Sequence, residues 1–297
     1  MHGDGDALHL LTEGLLDDAA VFPPGLAELA DAIEAHRRYR HAWFAPMVGP
    51  LVLPAAALDG FITQGGDVPV SLTFAQGADA LTQTLRAADA AGVVVAGVEV
   101  AVGQGEGAAA AIESIGAEVA QRDDAVKVSV ELERGHLSSA ALDLLREHGM
   151  QAKIRVGGIQ ARMYPDELEL AHTIRLIVDS KVPFKATAGL HRAVRNTHAH
   201  EGFEQHGFLN LLLATVAGMD GADETELVDI LADRDEARIA DRLGDVGSAG
   251  VQRGRQTFRS FGTCSVMEPI DDLRSLGLVA GQVADLPHPE SERQHNS

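Results

Sequence analysis

The chain contains a single cysteine, Cys264, so it can form no internal disulfide and no cysteine-rich zinc site, as expected of a reducing compartment. Long apolar runs are also missing. The stretch 209–218 falls far short of a spanning helix, and the opening residues 1–6 lack the basic and apolar regions of a signal peptide. The expectation is a cytoplasmic protein. Positive charge is scarce: 24 Lys and Arg against 44 Asp and Glu leave a net charge of −20. Nucleic acid and anionic membranes are poor partners for such a surface, because both need a basic face to offset phosphate repulsion. Any anion site must be local, and the partner class that remains is a small anionic metabolite, with homo-oligomer formation left open.

Within that small positive complement, lysine is the scarcest residue. Only four occur, and two of them stand in look-alike segments, Gln151-Ala-Lys-Ile-Arg-Val-Gly-Gly158 and Pro183-Phe-Lys-Ala-Thr-Ala-Gly-Leu-His191. Arginine cannot lose its proton to become a nucleophile as a desolvated lysine can, so Lys153 and Lys185 draw attention first.

With 45% hydrophobic and 23% charged residues, the 297-residue chain can bury a sizeable core. Strand-like and helix-like stretches alternate almost throughout, which marks parallel α/β architecture. Strands are expected at 19–22, 49–53, 69–74, 93–102, 126–131, 151–156, 183–188 and 258–264. Helices are expected at 26–41, 55–63, 78–91, 108–121, 137–148, 165–180, 207–218, 224–243 and 270–280. Eight strand–helix units predict a single (β/α)₈ TIM-type barrel over 1–286 with a disordered tail at 287–297. If 19–22 is only a loop, an open parallel sheet of seven strands is the alternative. The stretch 234–256 reads as an extra helix plus a surface loop.

Strand side chains alternate between faces, so Ser129, Glu131 and Glu133 share one side, as do Lys153 and Arg155, and Lys185, Thr187 and Gly189. In a barrel the apolar faces meet the helices, which sends these polar sets, with Glu99, inward and toward the carboxyl-terminal mouth. Lys153, Arg155 and Lys185 against Glu99 and Glu131 make a net positive patch. Burial there would lower a lysine pKa toward the range in which an amine attacks a carbonyl. An internal salt-bridge network that merely satisfies a polar core is the competing reading.

Gly157 and Gly158 after the sixth strand, Thr187 and Gly189 after the seventh, and Gly262, Thr263 and Ser265 after the eighth form small-residue turns of the kind that hold phosphate on backbone N–H groups. His191 directly follows one of these turns and is a candidate general acid/base. Cys264 reads as a buried small hydrophobe. Asp17 or Asp18 could reach the mouth, but an acidic pair before a helix reads as a cap or a solvated turn. The run Gly103-Gln-Gly-Glu-Gly-Ala108 fits the dinucleotide fingerprint formally, but Glu106 puts negative charge where pyrophosphate would sit, so it reads as a mouth loop. No cofactor is called for. No metal is expected either, the alternative being a site using His198 and His200, spaced as two ligands might be on a polar loop.

The segments Asp18-Ala-Ala-Val-Phe-Pro-Pro24, Phe184-Lys-Ala-Thr-Ala-Gly-Leu-His191, His206-Gly-Phe-Leu-Asn210 and Phe261-Gly-Thr-Cys-Ser-Val-Met-Glu-Pro269 resemble an uncharacterised bacterial family of TIM-barrel-like proteins. Locally, Lys185-Ala-Thr-Ala-Gly189 is similar to the Lys-Thr-Ser-Thr-Gly strand end of deoxyribose-phosphate aldolase-type class I aldolases. That likeness implies a Schiff base on Lys185. In those enzymes the lysine ends the sixth strand, where this chain has Lys153, so either lysine can take the role. His198-Ala-His200 with Asn210 and Gly218 is similar, with the spacing off by one, to metal-dependent lyases related to 3-hydroxy-3-methylglutaryl-CoA lyase. No Asp-Arg-Glu cluster on an early strand accompanies it.

The expected function is therefore a class I aldolase-like lyase or isomerase acting on a small phosphorylated or carboxylated carbonyl compound. Lys185 would be the nucleophile, Lys153 its neighbour, Arg155 the anion holder, and Glu131 with His191 the proton carriers. The alternatives are a metal-dependent barrel lyase or hydrolase and a non-catalytic anion-binding protein.

Overall fold

Each strand segment carries apolar side chains on one face and small or polar ones on the other, so the sheet must hide one face under helices and close around the other. The computed structural model, which describes residues 9–102, 107–120, 126–133, 136–198 and 202–279, has this form. Eight parallel strands close into a barrel: β1 (Leu16–Asp18), β2 (Val48–Pro54), β3 (Val70–Phe74), β4 (Val95–Ala101), β5 (Lys127–Glu131), β6 (Gln151–Arg155), β7 (Phe184–Thr187) and β10 (Phe258–Thr263). A short antiparallel hairpin, β8 (Asn196–Thr197) and β9 (Glu204–Gln205), stands apart from it. The helices are α1 (Leu29–Tyr39), α2 (Leu58–Thr63), α3 (Leu81–Ala90), α4 (Ala108–Val119), α5 (Ser139–Glu147), α6 (Glu167–Ser180), α7 (Phe208–Met219), α8 (Glu224–Ala232), α9 (Glu236–Thr257) and α10 (Met267–Ser275). A helix follows every barrel strand, and α8 and α9 are additions before the last one.

Closure excludes the open sheet, because β1 pairs with both β2 and β10. The first strand lies at Leu16–Asp18 and not at 19–22. Two adjacent acids hid it from a reading based on apolar alternation. Residues 19–22 form the turn after it, with Ala19 N–H donating to the Thr263 carbonyl and Phe22 N–H to that of Ala19. The stretch 234–256 also differs from expectation. It is helical through to Thr257, kinked at Gly247 (φ 65°), and its buried Ile239, Leu243 and Val251 face the core. The tail 287–297 and the loop 103–106 lie outside the described residues.

Local chemistry sets the helix boundaries. Asp166 caps α6 by accepting from Glu169 N–H, and the Glu169 carboxylate returns the bond to Asp166 N–H, a reciprocal capping box. The spacing of Leu170, Ile174 and Ile177 puts all three on the buried face, each contributing about 1.5–3 kcal/mol. Helix α7 is buried almost all round because α6, α8 and α9 enclose it while it rests on the barrel. Phe208 of α7 stacks on Phe261 of β10 at 5.0 Å.

Candidate active site

Parity along each strand decides what enters the barrel. Lys153 and Lys185 are register partners across β6 and β7; Glu131 pairs with Lys153 across β5 and β6, and Ser260 with Lys185 across β10 and β7. Residues in register point the same way, so the two amines share the interior.

They form part of an alternating chain of charge. Asp17 Oδ2 lies 2.6 Å from Lys185 Nζ, which is 2.7 Å from Glu99 Oε1. Glu99 Oε2 is 3.0 Å from Lys153 Nζ, which is 2.7 Å from Glu131 Oε2. Glu131 Oε1 then meets the Arg155 guanidinium at 2.8 Å. Ser71 donates to Glu99 and Ser260 to Asp17, each at 2.8 Å. Asp17, Glu99, Lys153 and Lys185 are buried, whereas the Arg155 side chain is 43% exposed. The chain of pairs therefore runs from the barrel centre to its mouth.

Two sequence expectations need correction. The patch is not net positive, because Asp17 joins it and three carboxylates face three cations. Nor is the Lys185 pKa lowered. Burial works against its charge, but the carboxylates of Asp17 and Glu99 outweigh it and hold the ammonium above its ordinary value. Burial likewise opposes charge on Glu99, and Lys185 and Lys153 outweigh it, holding that carboxyl well below the usual range. Glu131 is held down in the same way by Lys153 and Arg155.

A cavity of about 430 Å³ opens above this chain at the carboxyl-terminal mouth. Lys153, Lys185, Glu131, Arg155 and His191 all line it, so the structure brings together every candidate catalytic side chain. Gly158, Thr187, Gly189 and Gly262 line it as well. Thr263 does not offer its hydroxyl, which donates to the Ser265 carbonyl at 2.9 Å.

Gly157 has a steric reason. A Cβ there would stand 2.6 Å from Gly189 Cα and 2.7 Å from the Tyr164 ring, while at Gly262 the nearest atom would be 3.7 Å away. Gly157→Ala is expected to destabilise the fold by about 1–3 kcal/mol by forcing the two mouth loops apart, and Gly262→Ala to change it by less than about 0.5 kcal/mol, as read from urea unfolding.

Cys264 is only half-buried and lines the same cavity, with Sγ 3.6 Å from His191 Nδ1; it is not the enclosed hydrophobe its type suggests. Glu268 Oε2 lies 3.2 Å from the same nitrogen. Burial disfavours the charged imidazole, but Cys264 and Glu268 outweigh it and push the His191 pKa up to about 10. His191 thus carries a proton at neutral pH.

The metal alternative rests on His198 and His200. His198 is half-buried, with its ring 6.3 Å from that of His191, and His200 lies outside the described residues. Asn210 is buried and fully engaged, accepting from Arg195 N–H and donating to the Ile230 and Asp233 carbonyls. Among the described residues no group of three or more His, Cys, Asp or Glu is placed to hold a metal ion, and no helix is long and apolar enough to cross a membrane.

Asp17 is neither a cap nor a solvated turn: it is buried against Lys185 inside the barrel. Asp18, its neighbour, faces outward and pairs with the buried His36 of α1 at 2.9 Å. Alternation across Leu16, Asp17 and Asp18 was the available signal, and it required the strand to be recognised first.

No protein-family model and no curated protein sequence matches the chain. Among solved structures it is similar to QR15, an aldolase, at 11% identity and a TM-score of 0.46 over 90% of this chain and 97% of that one. It is similar to dihydrodipicolinate synthase from Thermotoga maritima at 11% identity and a TM-score of 0.42, covering 82% of this chain and 80% of that one. A third is dihydropteroate synthase from Xanthomonas albilineans, at 12% identity and a TM-score of 0.39 over 90% of this chain and 94% of that one. At these identities the likeness concerns the barrel fold and says nothing about activity.

Proposed function

We propose that this barrel is a lyase of the aldolase type, acting through a Schiff-base lysine on a small phosphorylated or carboxylated carbonyl compound. The observation that carries the reading is the pair of lysines, in register on adjacent strands, joined by Glu99 at the floor of a cavity that is also lined by a histidine and a half-exposed arginine. Buried ion pairs are costly, and apolar side chains would fill a barrel more cheaply, so their retention favours a chemical role.

Lys153 is the better candidate for the attacking amine. Each lysine sits between two carboxylates, but both partners of Lys185 are buried, whereas Lys153 has as one partner Glu131, which is less enclosed and is shared with the half-exposed Arg155. This reverses the roles drawn from the Lys-Ala-Thr-Ala-Gly likeness. Arg155 is exposed enough to turn toward a substrate phosphate or carboxylate. In doing so it would release one of the two cations that hold Glu131 ionised, making Glu131 a stronger base for the Lys153 proton. The free amine then adds to the carbonyl carbon, His191 supplies the proton to the oxygen, and loss of water gives the protonated imine. In a β-hydroxy substrate that cation accepts the electron pair of the Cα–Cβ bond as it breaks, leaving an enamine, while His191, having given up its proton, takes the hydroxyl proton and the other fragment leaves as an aldehyde or ketone.

Borohydride reduces an imine irreversibly. Incubation with small phosphorylated and carboxylated aldehydes and ketones is expected to leave a single adduct, mapped by mass spectrometry to Lys153. Lys153→Arg keeps the charge and should abolish trapping. An adduct on Lys185 would exchange the two roles, and no adduct with any carbonyl compound would leave an anion-binding protein without Schiff-base chemistry.

A further inference from the structure

The barrel has a second opening. TIM-type barrels are usually filled by layers of bulky branched side chains. Here the small side chains of Ser71, Gly97, Ser129 and Ser260 line a cavity of about 680 Å³ that penetrates from the amino-terminal ends of the strands as far as Asp17 and Lys185. Its volume is in the range of small-molecule sites.

Its rim is cationic in an otherwise acidic protein. Lys127 at the start of β5, Arg255 in the last turn of α9 and Arg259 in β10 all line it. Arg255 spends its terminal nitrogens on the Phe258 and Glu13 carbonyls, and its buried Nε has no partner among the described residues. Among the described residues none of these three cations is paired with a carboxylate. Two acids line the cavity, Asp17, which is held by Lys185 and Ser260, and Glu13, an exposed side chain near His9; both act on Arg255 from beyond ion-pair distance, while burial and the Arg259 charge oppose them. Four cations against two acids leave an excess of positive charge facing one polar space.

We infer that this amino-terminal cavity is a second ligand site, separate from the mouth, that takes a small dianion of the phosphate-monoester or dicarboxylate class. Arg259 and Lys127 supply the charge, and Arg255 supplies a guanidinium already fixed by the backbone carbonyls beneath it. The amides of Gln252 and Gln256, which also line the space, add hydrogen-bond donors. Because Lys185 and Asp17 form its inner end, an occupant here adjoins the same ion chain that floors the mouth.

Titration calorimetry at constant ionic strength tests this, using inorganic phosphate and succinate as probes. Arg259→Gln/Lys127→Gln alters two exposed side chains and spares the backbone-anchored Arg255. The double variant is expected to weaken binding of at least one probe about tenfold or more, with Arg155→Gln at the mouth changing it less than about twofold. Tighter phosphate than succinate binding assigns the monoester class, and the reverse order the dicarboxylates. No saturable binding of either probe overturns the inference. So does binding that only Arg155→Gln weakens, which would put the anion at the mouth, or binding equally unaffected by all the substitutions. Borohydride trapping reads the mouth independently, so either site can fail without the other.

Discussion

Glu99→Gln is expected to lower the unfolding free energy by about 3–5 kcal/mol, because one carboxylate serves two buried ammonium groups and its loss leaves each with a single partner. Glutamine keeps the volume and can still accept from Ser71, so packing loss should be small. Adding Lys153→Met to that variant should restore a large part of the loss. In the double variant Lys185 keeps Asp17 and Glu131 keeps Arg155, so no buried charge is left over. Urea unfolding with an unchanged denaturant slope is the measurement. If the double variant is no more stable than the single one, the ion chain stabilises the barrel outright, and the case for its functional retention is lost.

Acid is expected to remove about 3 kcal/mol of stability through a residue outside the candidate site. His206 is buried, with Nε2 2.8 Å from the Pro165 carbonyl and Nδ1 3.2 Å from Arg195. Burial first, and the Arg195 charge second, lower its pKa to about 4. The unfolded chain takes up this proton near 6.5, and the folded protein only near 4. Between those values the unfolded state binds more protons, so stability is full above pH 6.5 and declines as pH falls to 4. His191 acts in the opposite sense and in another window: the stability it adds is complete below 6.5 and is lost as pH rises through about 10. The depressed carboxyls of Glu99 and Glu131 act only below their ordinary 4.5, which leaves the interval above that value mainly to His206. His206→Gln can still donate to Pro165 and accept from Arg195, and it should flatten the acid limb measured by urea unfolding at a series of pH values. A limb unchanged in that variant would assign it to other groups.

Local periodicity made most of the architecture legible. Strand and helix segments alternate in apolar pattern, each strand exposes its parity directly, and those two facts together place Glu99, Glu131, Lys153, Arg155 and Lys185 on one side of the sheet. Lysine scarcity pointed to the same pair. Strand β1 escaped because three residues, two of them acids, contain too little alternation to register. The residue type of Cys264 favours burial, whereas its place just after β10 puts it on the cavity wall beside His191.

What only the tertiary structure decided is which charges meet. Asp17 and Lys185 are far apart in sequence and become neighbours because β10 closes the barrel between β1 and β7. That contact makes the ion chain neutral and reverses the direction of the Lys185 pKa. The amino-terminal cavity is of the same kind, since Arg255 and Arg259 flank a helix-to-strand junction across which neither the 3.6-residue nor the two-residue period continues. Sequence periodicity reports the face a side chain occupies. Its charge state and its ligands depend on partners from other strands, and those are set by barrel closure and register.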